Sequence, residues 1–194
     1  MFTYLSRWIL KITGWRFDGE LPNQNKYIVI VAPHTSNWDF IIGVLARGAL
    51  NTRIHFLGKH QLFIPPWGWF FRAIGGSPVD RRKNNNLVDS AVQLFETEPN
   101  YKLALAPEGT RSQVTRWKSG FYHIAHKADV PIVCVGLDFS RKAIVIRAPL
   151  AASGNIAQDM AVILDFHRSI KGRHPKLIPD FATTTPPQET AQSD

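Results

Sequence analysis

The stretch "KYIVIVAPHTSNWDFIIGVLARGAL", residues 26 to 50, contains the pattern of a buried strand followed by the pattern of a helix. Residues 26 to 32 are apolar at almost every position, which is typical of a strand buried on both faces. Residues 39 to 50 predict a helix. The short loop before that helix is rich in functional groups, because residues 34 to 39 hold a histidine, two hydroxyls, an amide, an indole and a carboxylate.

The same alternation of strand and helix continues along the chain. Strands are predicted at 53–58, 101–106, 131–138 and 142–150, and helices at 86–98, 119–129 and 156–167, with a short helix within the aromatic segment 62–74. This order predicts one α/β domain with a central, mostly parallel sheet flanked by helices. We expect an N-terminal amphipathic helix at 1–16, the domain at 17–171, and an extended, partly disordered Pro- and Thr-rich tail at 172–194.

Composition and charge limit the classes of function. A chain of 194 residues that is 44% hydrophobic can bury one sizeable core. Its single cysteine, Cys134, lies among Val and Ile in a predicted strand, so it is expected to be buried; one cysteine excludes an internal disulfide and suits the cytoplasm. The formal net charge of +8 predicts an anionic partner. No nucleic-acid-binding motif is present, which argues against nucleic acid.

The first residues predict a short amphipathic helix. Residues 2 to 13, "FTYLSRWILKIT", place four apolar residues on one face and three polar residues on another, namely Phe2, Leu5, Ile9 and Ile12 against Thr3, Arg7 and Lys11. Arg7 and Lys11 interrupt the apolar run that a signal peptide needs. No segment approaches the roughly 20 apolar residues of a spanning helix. The helix either packs on the domain's own core or lies on a membrane surface with Trp8.

Two predicted strands end in Ala-Pro, at 32–33 and 106–107, and reactive residues follow both. In open α/β sheets ligands bind beyond the carboxyl ends of the strands, so we expect both loops at one rim. His34 and Asp39 are five residues apart and can meet only if a turn separates them, which would let Asp39 orient the imidazole. The alternative is a capping box, with Ser36 as N-cap and Asp39 reaching back to it.

The second loop, "PEGTRS" at 107 to 112, has the composition of an anion site. Gly109 can adopt positive φ, and Arg111 offers a planar fork suited to phosphate. An ordinary turn with a solvated arginine is the alternative. A third segment, "GGSPVDRR" at 75 to 82, predicts a tight turn followed by the two cations Arg81 and Arg82, a pair that is more often solvated than part of a site.

Together these segments resemble the glycerolipid acyltransferases, the family that includes lysophosphatidic acid acyltransferase. "HTSNWD" at 34–39 matches the H-x4-D motif of that family. "GGSPVDR" at 75–81 resembles its second block, "PEGTRS" its third and "VPIV" at 130–133 its fourth. The order and the spacings fit, and the resemblance covers roughly residues 17 to 140.

The resemblance implies transfer of a fatty acyl group from acyl-CoA or acyl carrier protein to the hydroxyl of a lysophospholipid, lysophosphatidic acid-like acceptor. His34 would be the general base, and Asp39 would orient its imidazole and stabilise the protonated form. A thioester is already activated, so the reaction requires no bound cofactor, no metal and no enzyme nucleophile.

The resemblance also implies a set of substrate-binding residues. Arg81 and Arg111 would hold the acceptor phosphate, and the neighbouring residues of the third block would shape the site. The full set is Arg81, Glu108, Gly109, Thr110 and Arg111, with residues 130 to 133 lining the site.

The chain departs from the family pattern at two points. Cys134 stands where many relatives have a second proline, and many relatives have an apolar spanning helix before the first block that is missing here. We therefore expect a cytoplasmic protein bound peripherally to the inner face of the membrane. Two alternatives are an acyltransferase for a non-phosphorylated lyso-aminolipid and a catalytically silent lipid-binding module. The paired His34 and Asp39 argue against the silent module, because binding alone would not require both.

Overall fold

The computed structural model describes residues 1–79 and 84–181. Within these ranges the helices are α1 (Phe2–Ile12), α2 (Asn37–Ala49), α3 (Gly68–Ala73), α4 (Asn84–Thr97), α5 (Gly120–Lys127) and α6 (Ile156–Arg168). The strands are β1 (Arg16–Asp18), β2 (Lys26–Val31), β3 (His55–Lys59), β4 (Gly76–Val79), β5 (Tyr101–Leu105), β6 (Ile132–Asp138) and β7 (Ala143–Ile146). A 3₁₀ helix, His60–Phe63, precedes α3.

Among the described residues, seven strands form one sheet in the order β1-β7-β6-β2-β5-β3-β4. Every neighbouring pair is parallel except β6 and β7, which are antiparallel. The predicted α/β fold with a mostly parallel sheet is therefore confirmed. The two edge strands, β1 and β4, were not predicted from the sequence. They have only three and four residues, too few for a hydrophobic pattern to stand out from the surrounding turns.

Strand β2 lies in the middle of the sheet, and its two faces pack against different helices. Ile28 and Ile30 belong to a core cluster with residues of α4, α5 and α6. Tyr27 and Val29 point to the opposite face and join a second cluster with residues of α1 and α2. Because successive side chains of a strand alternate between faces, a strand covered by helices on both sides must be apolar at every position. This arrangement explains the unbroken apolar run at 27–32.

The N-terminal helix α1 packs against α2 through a face centred on Ser6 and Leu10, both of which are buried. Gly48 of α2 permits this approach, since a Cβ at that position would lie 2.4 Å from the Ser6 hydroxyl. Several apolar residues of α1 remain at least half exposed, among them Leu5 at 50%, Trp8 at 58% and Ile12 at 60%. Of the predicted apolar face, Phe2 lies with its ring beside Gly48, whereas Leu5 and Ile12 are mainly exposed.

None of the helices among the described residues is both long and apolar enough to cross a bilayer. After α6 the chain continues without helix or strand to residue 181. Ile178 and Phe181 pack against the core cluster of α4, α5 and α6. The predicted disorder at the end of the tail concerns residues 182–194, which lie outside the described residues.

Candidate active site

The two reactive loops lie side by side at the carboxyl ends of the parallel strands. Strands β2 and β5 are parallel neighbours, with Ile30 paired to Leu105, so the segments that follow them leave the sheet side by side. The backbone N–H of His34 in the first loop donates to Oε2 of Glu108 in the second, at 2.8 Å. The prediction that the loops at 33–36 and 107–112 share one rim is confirmed.

The side chains of His34 and Asp39 are in direct contact, with 2.9 Å between His34 Nδ1 and Asp39 Oδ2. The same carboxylate oxygen accepts the backbone N–H groups of Thr35 and Ser36, each at 2.7 Å. Because this oxygen accepts from both amides, Nδ1 supplies the proton to it, and in the neutral imidazole Nε2 then carries the lone pair. The His34 side chain is 29% exposed and that of Asp39 only 3%. The pair therefore offers a partly accessible proton acceptor held by a buried carboxylate.

The capping box that the sequence offered as an alternative is also present. Ser36 is the N-cap of α2, and its hydroxyl accepts the backbone N–H of Trp38 at 3.2 Å. Asp39 accepts the Ser36 N–H in return, as the third residue of a capping box does. The start of the helix supplies the turn that lets His34 meet Asp39. One carboxylate thus caps the helix and holds the imidazole, while the catalytic role of the pair stays a prediction.

The loop after β5 is built on Glu108 and Gly109. The Glu108 side chain is completely buried, and its Oε2 holds the His34 backbone. Gly109 has φ +67°, in the left-handed region that favours glycine, and the side chain of Lys118 lies beside it. The hydroxyl of Thr110 accepts the backbone N–H of Ser112 at 3.3 Å. The loop therefore turns back on itself next to the histidine.

Arg111 is exposed, and its guanidinium donates to Oδ1 of Asn37, the first residue of α2. This contact keeps the cation beside the loop that carries His34. Arg81 and Arg82 lie outside the described residues. The predicted substrate-binding roles of Arg81, Glu108, Gly109, Thr110 and Arg111 stay predictions.

Residues 130 to 133 do not line this site. Ile132 pairs with Ile28 near the start of β2, and the N–H of Ile28 donates to the carbonyl of Pro131. Since β6 runs parallel to β2, its first residues lie at the amino ends of the strands, whereas His34 lies beyond their carboxyl ends. The stretch from Ile28, the partner of Ile132, to His34 corresponds to about 20 Å at the rise of a strand. Val130 and Val133 are buried in the two core clusters. The expectation that this block lines the site is wrong, and its role here is packing.

Cys134 is a core residue, as expected. It is 2% exposed within β6, and burial raises the pKa of its thiol to about 12. A thiol with this pKa is almost entirely protonated at neutral pH, and the thiolate is the nucleophilic form.

Lys176, a residue of the predicted extended tail, also contacts the site and was not predicted from the sequence. Its side chain is 3% exposed, and its Nζ lies 2.9 Å from Glu108 Oε2. The ammonium also donates to the carbonyls of His34 and Thr110, at 3.0 and 3.1 Å. No motif or spacing could have found this contact, because 142 residues separate Lys176 from His34.

The family model described as Acyltransferase matches residues 16–138 of the chain. The chain belongs to the acyltransferase family. The match includes both loops of the candidate site and ends before α6 and Lys176. The family resemblance carried by the four sequence blocks is thereby confirmed.

Two curated relatives of this acyltransferase-family protein are named 1-acyl-sn-glycerol-3-phosphate acyltransferase. The one from Saccharomyces cerevisiae (strain ATCC 204508 / S288c) is 31% identical over 126 residues, which cover 60% of this chain and 40% of the relative. The one from Streptococcus pneumoniae (strain ATCC BAA-255 / R6) is 27% identical over 144 residues, 69% of this chain and 53% of the relative. The chain therefore spans about half the length of the curated relatives it matches.

A crystal structure of the 1-acyl-sn-glycerophosphate (LPA) acyltransferase PlsC from Thermotoga maritima has a similar fold. The TM-score is 0.59 and the sequence identity 18%, and the alignment covers 90% of this acyltransferase-family chain and 80% of PlsC. At this identity the similarity establishes the shared fold.

Proposed function

We propose that this protein transfers a fatty acyl group from acyl-CoA or acyl carrier protein to the free hydroxyl of a lysophospholipid of the lysophosphatidic acid type. The observation that carries the proposal is the contact of His34 with Asp39, which leaves Nε2 as a proton acceptor at an accessible rim. The names of the two curated relatives support this acceptor class.

The proposed reaction is direct transfer between the two substrates. Nε2 of His34 takes the proton of the acceptor hydroxyl as its oxygen attacks the thioester carbonyl. The tetrahedral intermediate collapses, the carbon–sulfur bond breaks, and the imidazolium returns the proton to the departing thiolate. Asp39 stabilises the imidazolium while it exists and keeps Nδ1 protonated throughout. The products are an ester and a free thiol, so atoms and charges balance.

The acceptor phosphate is proposed to bind the guanidinium of Arg111, which Asn37 holds beside the His34 loop. A planar guanidinium matches two phosphate oxygens at once. Arg81 is the second proposed phosphate ligand, by the family resemblance. Glu108, Gly109 and Thr110 shape the loop that presents Arg111.

The protein is proposed to bind the inner face of the cytoplasmic membrane through exposed apolar residues near the site. We define the aromatic patch as the exposed residues Trp38, Phe40, Ile41, Ile64, Trp67, Trp69 and Phe70. The Phe40 ring contacts Phe71, and Phe71 contacts Phe70, so the patch joins the start of α2 to α3. Exposed apolar clusters of this kind are typical of interaction surfaces. A bilayer is the proposed occupant, because the acceptor carries an acyl tail and the protein carries a net charge of +8.

A thiol-release assay tests the activity. Purified protein is given acyl-CoA or acyl carrier protein with lysophosphatidic acid, a lyso-aminolipid, or no acceptor. We expect thiol release that depends on lysophosphatidic acid and falls by at least 10²-fold in His34→Ala. Thiol release with the lyso-aminolipid but not with lysophosphatidic acid would show that the acceptor is a lyso-aminolipid. Absence of release with every pair, while lipid binding persists, would favour the silent lipid-binding module.

A further inference from the structure

The segment 172–178 lies beyond the part of the chain matched by the family model, yet it packs over both reactive loops. We call these residues the C-terminal strap. The side chain of Gln113 binds the strap at both backbone groups of Leu177, at 3.0 and 2.9 Å. Gly172 approaches Thr35 so closely that a Cβ there would lie 2.7 Å from the threonine methyl. The strap is therefore fixed to the loop at 33–36 and to the loop at 107–113.

Lys176 makes the buried contacts of the strap. Its ammonium has three N–H groups, and three acceptors surround it, namely Glu108 Oε2, the His34 carbonyl and the Thr110 carbonyl. Glu108 in turn accepts the N–H of His34. The Lys176 and Glu108 pair thus holds both backbone polar groups of the histidine. The same ammonium fixes the residue before Arg111.

We propose that Lys176 is a positioning residue for the acyl transfer proposed above, on which this inference rests. Its three N–H groups are used within the protein, so it does not serve as a phosphate ligand. It sets the distance between the base, His34, and the loop that presents Arg111. Displacement of a reacting group by about 1 Å can lower a rate by about 10²-fold, so loss of this anchor is expected to reduce turnover.

The variants must separate positioning from folding. Lys176→Met alone leaves the buried Glu108 carboxylate without its cation, which destabilises proteins strongly. The informative variant is Lys176→Met combined with Glu108→Gln, in which neither member of the pair is charged and the amide oxygen still accepts the His34 N–H. Arg168→Met is the matched control. Arg168 binds Asp180 beyond the strap at 2.5 Å, and no contact joins it to either loop among the described residues.

We expect the double variant to melt within a few degrees of wild type but to lose at least tenfold in kcat. The KM for the acyl donor should change less than twofold. Arg168→Met should keep kcat within twofold of wild type. A double variant that is folded and has the wild-type kcat would overturn the proposal. If the double variant does not fold, Lys176→Arg replaces it, because it keeps the charge but has a planar head in place of a tetrahedral one. We expect it to fold and to lose at least threefold in kcat, and a wild-type kcat would again overturn the proposal.

Amide hydrogen exchange of peptides 33–36 and 107–112 gives a readout without turnover. We expect exchange in both loops to rise at least tenfold in the double variant, or in Lys176→Arg where that replaces it, and to stay unchanged in Arg168→Met. Unchanged exchange in the variant would overturn the anchoring role. A wild type without thiol release, combined with faster exchange in the variant, would refute the proposed function and leave the anchoring confirmed.

Discussion

A single carboxylate oxygen, Asp39 Oδ2, serves two purposes in this protein. It accepts the two backbone amides that immediately precede helix α2, and it accepts the Nδ1 proton of His34. The sequence presented a catalytic pair and a helix cap as alternatives because a motif gives spacing, whereas only the turn geometry determines which donors reach an oxygen. The two purposes can be separated by substitution.

Asp39→Asn should keep the fold and lose the reaction. The amide oxygen of Asn can still accept backbone N–H groups, so the free energy of unfolding should fall by no more than about 1 kcal/mol. The same oxygen would still accept from Nδ1, but the neutral amide lacks the negative charge that stabilises the imidazolium formed when Nε2 takes a proton. We expect kcat for thiol release to drop by about 10² to 10⁴.

Ser36→Ala is the matched control for Asp39→Asn. It removes the hydroxyl that accepts the Trp38 N–H, so stability should fall by about 0.5–2 kcal/mol with kcat retained. Thermal melting and thiol release measure the two effects. Full turnover in Asp39→Asn would show that Asp39 only caps the helix and has no role in catalysis.

Arg111→Lys tests the proposed phosphate contact. A lysine keeps the positive charge but cannot bind two phosphate oxygens as a fork does. We expect the acceptor KM to rise or kcat to fall, with the KM of the acyl donor unchanged. Arg116→Lys, at another exposed arginine close by in the chain, should leave both values as in wild type. A defect confined to the donor would assign Arg111 to the thioester carrier.

At the level of single residues, the sequence pattern around the strand ends predicted that the two loops meet, but it did not predict that Lys176 contacts both of them. The Ala-Pro strand ends located His34 and Glu108 because parallel strands bring their carboxyl ends to one edge. Lys176 belongs to a segment without helix or strand. Such a segment has no hydrophobic periodicity from which its contacts could be predicted. The wrong placement of residues 130–133 has a similar origin, because motif order does not tell which end of a parallel strand a block occupies.

Among the secondary-structure elements, α1 best illustrates the limits of a pattern. An eleven-residue helix with apolar residues on more than one side offers several packing faces, and periodicity cannot rank them. The close approach at Gly48 selects the side with Ser6 and Leu10. The stripe of Leu5, Trp8 and Ile12 is left in water, so the helix packs on the domain and still presents an apolar surface.

This exposed stripe of α1 is expected to strengthen membrane binding. Leu5→Ser combined with Trp8→Ser removes apolar area that does not support the fold, so the variant should melt like wild type. We expect its partition onto anionic vesicles to fall at least tenfold, and the loss should persist at high salt because burial of apolar area is insensitive to screening. Vesicle sedimentation at two salt concentrations measures both effects.

Leu10→Ala, in the same helix, should lose stability and keep vesicle binding. It removes a buried side chain and should destabilise the protein by about 2–5 kcal/mol, while the folded fraction keeps its vesicle affinity. If wild type stays in the supernatant with anionic vesicles at low salt, peripheral membrane binding is refuted.

At the scale of the whole molecule, the fold was predictable wherever an element is buried on both faces. Strands β2 and β6 are apolar at nearly every position because helices cover each side of the sheet, and this leaves a clear signal. Edge strands β1 and β4 pair on one side and are short, so nothing in their sequence separates them from turns. The centre of the sheet, which also carries the first reactive loop, is thus the part that the sequence specifies most strongly.

The stability of the whole molecule should depend on pH through a histidine that is not part of the candidate site. His167 of α6 is completely buried, and its Nδ1 donates to the carbonyl of Ile163 at 2.8 Å. Burial lowers the pKa of His167 from 6.5 to about 4. Between these values the unfolded chain binds a proton that the folded protein does not, so stability must fall as pH decreases through this window and level off below about 4.

A pKa lowered by this amount corresponds to about 3 kcal/mol of stability lost between neutral pH and the folded pKa. His167→Gln keeps a donor for the Ile163 carbonyl but cannot titrate, so its urea-unfolding free energy should decline less than that of wild type over this range. His123→Gln, at an exposed histidine of α5, should retain the wild-type slope. Parallel profiles for wild type and His167→Gln would mean that His167 does not cause the acid sensitivity. The loss would then have to come from carboxylates that take up protons at lower pH.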